Sequence, residues 1–421
     1  MTKRHFPVRP NLEQLRHQAK DLLKAVRAGE PDALAELREL HAKPVDASEA
    51  RLADAQHVLA RSYGLPSWPR LVMACRMTDA IWRDDVDEVR ELVLREPALL
   101  EEDARGVKGN WGPPLSYAAN LGRDAVIEML LGLGAKDFEY AFGRACLQGK
   151  IETARRLYAL MDGRRPADDM LGWPAYTLNA EGTQLMLECG ARLYDDDGQR
   201  LAPVSVVLET DSRKAEAKHR ILELYVQYGF QLPDTPVMAV HRGRIDLLEQ
   251  HLRRDPELLE RTFAFEEMYP PEMGCHEEAM TTHGTPLRGA TLLHLCVDYG
   301  ELETAEWLLK RGMNVNARAA VDAEGFGGHT ALFGAVVAQT NFWANYFGTE
   351  DDVAMTRLLL DHGADVHARA SLRKELHPGY GFPDVYVYRN VTPLEWGEQF
   401  VFKRLVNRSA MALIRERSGV E

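Results

Sequence analysis

GATLLHLCVDYGELETAEWLLKRGMNVNA, Gly289 to Ala317, is the stretch whose reading decides the fold. Thr291 can cap a first helix, with Leu292, Leu293, Leu295 and Cys296 on one side and Tyr299-Gly300 stopping it in a tight turn. A second helix follows over Leu302, Ala305, Trp307, Leu308 and Leu309, spaced as one buried stripe, and it ends at Gly312, where positive φ costs little. Met313-Asn314-Val315-Asn316 then carries the chain outward. The spacing predicts a helix-turn-helix unit followed by the start of a hairpin.

Working outward, the same rhythm recurs. Pro114 to Ala135 keeps a glycine between helices (Gly122), the Leu130-Leu131 pair and a Gly134 end. Ala141 to Leu160 keeps Gly149, and Thr235 to Leu259 restores the Thr-Pro start and Gly243. Trp173 to Ala191 is degenerate, and Ala202 to Phe230 carries a longer charged segment, DSRKAEAKHR. Met77 to Leu100 and Thr235 to Leu259 end in Pro-Ala-Leu-Leu and Pro-Glu-Leu-Leu. One later unit opens at Gly328-His329-Thr330 and closes at Gly363 to Val366, and Thr392-Pro393-Leu394 opens the last.

These features resemble the ankyrin repeat. TLLHL stands where that family has its TPLHxA signature, and the inter-helix glycine, the LL pair and the GxNVNA ending follow in order. The resemblance implies an all-α ankyrin-repeat solenoid of about eight or nine repeats, against about three needed for stability. It also places His294 at the signature histidine, where it is expected to tie neighbouring loops by hydrogen bonds. The N-terminal block differs: Asn11 with Gln14 reads as a capping box, Leu12, Leu15, Ala19, Leu22 and Val26 form a stripe ending at Gly29, and helices are expected from Pro31 to about Leu40, over Ala47 to Tyr63 and from Ser67. Its RPNLEQLRHQAKDLL opening and YGLPSWPRL close resemble a helical module that precedes ankyrin arrays in bacterial proteins. Residues 1–75 are therefore expected to form a helical capping module and 76–421 the repeat array, the cap sealing the apolar face of the first repeat.

The bulk properties bound the function. A chain of 421 residues that is 45% hydrophobic can bury a large core, and the net charge of -13 argues against a nucleic-acid backbone as principal partner. Five cysteines without CxxC spacing read as reduced thiols. With no apolar leader at MTKRHFPVRP and no run of membrane-spanning length, a cytoplasmic protein without membrane association is expected.

A repeat takes about 33 residues, so surplus length marks where the chain does more than stack. The surplus lies mostly in 261–391, in Thr262 to Leu287, Val321 to Gly328, Thr340 to Asp352 and Ser371 to Asn390, inserts that together are rich in Phe, Trp, Tyr and His. Inserted loops of repeat proteins tend to project on the binding face. This points to a walled concavity lined by Tyr269, Phe326, Trp343, Tyr346, Phe347, Arg373, Lys374, Tyr380, Tyr386 and Tyr388.

Four residues on the long connection are candidates for acid-base chemistry: Glu266, Glu267, His276 and His283. On a strand-like finger Glu266 and Glu267 would point to opposite sides, so at most one would enter a cavity. Cys275 beside His276 is poor metal-ligand geometry, and neither a metal nor a cofactor is expected. Gly325-Phe326-Gly327-Gly328 lacks a nucleotide-binding context and reads as a hairpin tip. Arg373-Lys374 would meet an anionic ligand group or neutralise an acidic surface neighbourhood. No GxSxG or HExxH pattern occurs. The reading favours a scaffold recognising a protein or peptide through fingers and concave face, over a small-molecule-binding protein or enzyme with an aromatic, Glu/His-containing pocket.

Overall fold

The computed structural model describes residues 4–41, 43–210, 212–276, 285–337, 352–375, 385–401 and 403–419. The chain divides into two compact units, Met1–Arg165 and Pro166–Glu421.

The first unit opens with α1 (Leu12–Ala28), α2 (Pro31–Leu40) and α3 (Leu52–Ser62). Asn11 caps α1 by accepting from the Gln14 N–H, and Gly29 ends it in the left-handed region, as the pattern predicts. The third helix starts later than expected: Asp54 turns back to accept from the Arg51 N–H, which fixes the N-terminus at Leu52. Three pairs follow: α4 (Trp68–Arg83) with α5 (Val86–Arg95), α6 (Pro114–Leu121) with α7 (Asp124–Gly132), and α8 (Phe138–Leu147) with α9 (Ile151–Ala159). α4 is continuous through residues 75 and 76, so the opening helical block and the first pair share a helix. Leu65, Leu71, Ala74 and Cys75 bury against Phe6, Leu15 and Ala60.

The second unit continues the pairing with α10 (Gly172–Tyr176) and α11 (Ala180–Glu188), α12 (Val204–Glu209) and α13 (Ala215–Gln227), and α14 (Pro236–His241) and α15 (Ile245–Arg254). After the single turn α16 (Phe265–Met268) come α17 (Leu292–Tyr299) with α18 (Leu302–Lys310) and α19 (Ala331–Val336) with α20 (Ala354–Asp361). The antiparallel strands β1 (Ala370–Glu375) and β2 (Val385–Val391) precede α21 (Pro393–Gln399) and α22 (Arg408–Ser418).

One capping geometry recurs in the first helices of these pairs. The N–H of Gly122, Gly149, Gly243 or Gly300 bonds the carbonyl three residues back, and the next N–H bonds the carbonyl five residues before it. Each of these glycines lies at φ between +62° and +70°. Asp84 (φ 57°) performs the same turn at the end of α4. Where the second helix lacks a glycine, short 3-10 turns at Pro97–Leu100 and Pro256–Leu259 anchor the end with Leu99 and Leu258 buried.

Helices of two turns are marginal alone, so stacking must hold them. α6 packs on α8, α17 on α19 and α19 on α21. Being sandwiched, α17 is buried at every residue from Leu292 to Tyr299, not on one side only. The second helix buries a narrower stripe, Thr304, Ala305, Leu308 and Leu309; Leu302 is exposed, and the half-buried Trp307 lies under the Arg311 guanidinium at 5.0 Å.

Candidate functional site

The connecting fingers of the second unit join into a narrow backbone ladder. Phe263 pairs with Ala290, Ala320 donates to the Gly289 carbonyl at 2.7 Å, and Ala319 donates to His329 at 2.9 Å. Gly327 then donates to Ser371 at 2.7 Å, linking this hairpin to β1 and through it to β2. Gly327 has φ +115°, and a Cβ there would strike the Ala320 carbonyl oxygen, so the close approach of these fingers needs glycine. The Gly325 to Gly328 run is thus a hairpin tip, and the Ser371 to Asn390 insert contributes both strands.

The ladder closes in a mixed apolar and cationic patch. Phe326, 7% exposed, lies under the guanidinium groups of Arg373 at 5.0 Å and Arg389 at 4.6 Å. Arg373 donates to Asp322 at 2.6 Å and Glu324 at 2.7 Å, so it neutralises an acidic turn. Asp322 also accepts from the N–H groups of Phe326 and Glu324, which together hold its carboxyl below the usual range. Arg373 faces Val387 across the strands, and Val385 and Val387 are exposed, as is Val321 on the neighbouring finger. The alternate face turns inward: Leu372 opposite Tyr388 is buried, with Tyr388 against Trp396 at 4.6 Å, whereas Lys374 opposite Tyr386 is half-buried.

The candidate acid-base residues do not converge. Glu266 and Glu267 lie on a helical turn, where a strand-like finger was expected. Glu267 caps that turn through the Ala264 N–H at 2.9 Å and pairs with Arg261, while Glu266 faces solvent. Tyr269 is interior, 1% exposed, its hydroxyl 2.7 Å from that of Tyr299, so it presents no surface to a partner. His276 is exposed and bonds Glu209 through its backbone N–H and Nδ1. His283, Trp343, Tyr346, Phe347 and Tyr380 lie outside the described residues. Among the described residues, no group of three His, Cys, Asp or Glu could hold a metal, and no helix is long and apolar enough to cross a membrane.

Two buried histidines, His294 and His329, bridge successive fingers. Nε2 of His294 meets the His329 carbonyl at 3.1 Å, and Nδ1 accepts from Thr291 Oγ1 at 2.9 Å. Nε2 of His329 in turn meets the Pro286 carbonyl at 3.0 Å. Burial pulls the two imidazoles down to about 4 and about 3 respectively, with the His294 ring a further cause at His329.

A second polar cluster escapes sequence reading. Lys218 of α13 places Nζ 2.8 Å from Glu301 at the start of α18, and His219 meets the other Glu301 oxygen at 2.7 Å. Arg213 meets Asp298 at 3.0 Å and stacks over Tyr299 at 4.4 Å. The His241 ring stands edge-on to Tyr299 at 4.9 Å. Burial would raise the Glu301 carboxyl, but Lys218 and His219 outweigh it and hold it low; burial lowers Lys218, partly offset by Glu301. At 1% side-chain exposure Lys218 is sealed, and the cluster ties α13, α14 and α17 together. DSRKAEAKHR reads as a charged connection, yet Lys218 falls on the same helical stripe as Ile221, Leu222 and Tyr225, a periodicity that marks it as inward.

The family comparison agrees with the local geometry of the Gly289 to Ala317 unit. Residues 288–320 match the ankyrin repeat family model. Among solved structures, the human ASB11 ankyrin repeat domain is similar at 17% identity and TM-score 0.25, covering 72% of this chain and 97% of that one. The ankyrin repeat domain of Bcl-3, described as a unique member of the IkappaB protein family, is similar at 17% identity and TM-score 0.22, covering 65% and 97%. Among curated proteins none matches this chain.

Proposed function

We propose that this chain is an ankyrin-repeat scaffold of the bacterial cytoplasm that binds a protein or peptide partner through its fingers and inner helices, with residues 1–75 acting as the N-terminal cap of the array in 76–421. Ankyrin repeats generally mediate protein-protein interaction, and residues 288–320 carry that repeat. The observation that carries the reading is the end of the finger ladder, where exposed Val321, Val385 and Val387 lie with Phe326 beneath Arg373 and Arg389. Apolar side chains edged by arginine are the composition that protein interfaces favour.

The test is co-purification from the native cell with the wild-type chain and with Val385→Asp/Val387→Asp. These side chains are 45% and 51% exposed, so the substitutions should leave the thermal midpoint in place. A partner recovered by the wild type and reduced about tenfold or more by the double variant supports the reading. Equal recovery by both, or no partner at all, overturns it.

A further inference from the structure

In the first unit, no carboxylate among the described residues pairs with the Arg144 guanidinium. Arg144 on α8 is 5% exposed, and its Nε is buried without an acceptor. Its charge lies 5.4 Å over the Trp111 ring. Trp111 stacks on Trp82 at 6.4 Å and tilts against Tyr117 at 4.8 Å, and Tyr117 accepts from the Trp82 indole N–H at 2.7 Å. Burial pulls Arg144 down to about 10, with only Tyr140 acting against it. A ring face recovers a small part of what sealing a guanidinium from water costs.

Position makes the residue stand out. Arg144 precedes its left-handed glycine, Gly149, by the same spacing as Leu295 precedes Gly300 and Met238 precedes Gly243. Those two are buried and apolar, so the site accepts a greasy side chain without loss of the fold. Tyr117 and Asp79 occupy the equivalent place in α6 and α4. Asp79 is already committed, to Arg9 at 2.7 Å and Arg83 at 2.9 Å, while Arg9 itself covers Trp82 at 5.3 Å. Trp82, Trp111 and Tyr140 each keep part of their surface in water, leaving an aromatic shelf beside the unanswered charge.

We propose that Arg144 with the Trp82, Trp111 and Tyr140 shelf forms an anion subsite that takes the carboxylate of an Asp or Glu flanked by apolar residues in an extended segment of a protein partner. The inference rests on the scaffold reading and adds the chemistry of what one part of the array recognises. Arg144 supplies charge-assisted donors to the carboxylate, and the indole faces receive the apolar neighbours.

The test is selection of peptides from a phage-displayed random dodecapeptide library on the full chain, followed by affinity measurement with Arg144→Met. Enriched peptides should share an acidic residue, and its change to Asn or Gln should weaken binding about tenfold or more. Arg144→Met should weaken the parent peptide by a similar factor and the changed peptide little, while its thermal midpoint stays level or rises. Peptides that bind with no acid requirement and bind Arg144→Met equally remove this inference and leave the scaffold reading standing. A library that enriches nothing removes both. Displacement of the peptides by free glutarate at matching affinity overturns the peptide assignment in favour of a small dicarboxylate. If Arg144→Met and Arg144→Gln both fail to fold, the guanidinium is structural and the proposal falls.

Discussion

Lys218 and Glu301 form an ion pair of 2.8 Å with side chains 1% and 2% exposed, between residues far apart in sequence. Taking both charges out of water is costly, and removing one partner leaves the other uncompensated. Lys218→Met or Glu301→Gln alone should therefore lower unfolding free energy by roughly 3–5 kcal/mol. The double variant Lys218→Met/Glu301→Leu should recover most of that loss. Urea denaturation checks both, and a double variant as unstable as the sum of the singles would show that the pair does not act as a unit.

The Glu301 pair also sets an acid limit. Its carboxyl is held below the ordinary glutamate value in the fold, so its contribution is present above the unfolded value and is lost as pH falls through the folded one. Glu301→Gln should accordingly flatten the fall of thermal midpoint below about pH 4.5, the region where an unfolded glutamate takes up its proton.

His294 and His329 act at a higher pH. Both are kept neutral by burial, at about 4 and about 3, whereas the unfolded imidazole titrates near 6.5. Below about pH 6.5 the unfolded chain gains protons that the fold refuses, so stability drops progressively as pH falls and levels off once the folded values are passed. Each histidine steepens the drop by at most about 1.4 kcal/mol per pH unit. His294→Gln should lower stability at pH 7 through the lost finger bridge and also reduce this slope, measurable from denaturation curves between about pH 5 and pH 7.

Two glycines separate conformational strain from steric crowding. Gly312 has φ +96° with open space around its hydrogen, so Gly312→Ala should cost about 1 kcal/mol. Gly327→Ala meets the Ala320 carbonyl as well and should cost clearly more, roughly 2–4 kcal/mol with the finger ladder disturbed. Thermal unfolding of the two variants in parallel decides the order.

Local chemistry was readable residue by residue where the repeat is regular. The Asn11 cap, the Gly29 stop, the Pro31 start and the left-handed turns at Gly122, Gly149, Gly243 and Gly300 depend on neighbours within a few positions, and they occur where the pattern places them. Of the expected recognition residues, Phe326 and Arg373 do share a patch. Tyr269 and Tyr388 do not join it, because each is drawn inward by aromatic partners from distant segments, Tyr299 for one and Trp396 for the other. Glu266 and Glu267 sit on one turn of helix closed by a single cap, which has no periodicity to detect, so the sequence pattern does not distinguish it from a strand-like finger.

Sequence by itself determined the helix-turn-helix unit at Gly289 to Ala317, because capping, glycine turns and a buried stripe are short-range demands written into adjacent residues. Only the tertiary structure decided that α17 is buried all round, that Lys218 meets Glu301, and that Arg144 has no carboxylate partner among the described residues. Those outcomes follow from which helix packs on which. A side chain's cost of burial is set by the neighbours that packing brings, and those come from parts of the chain that no local window contains.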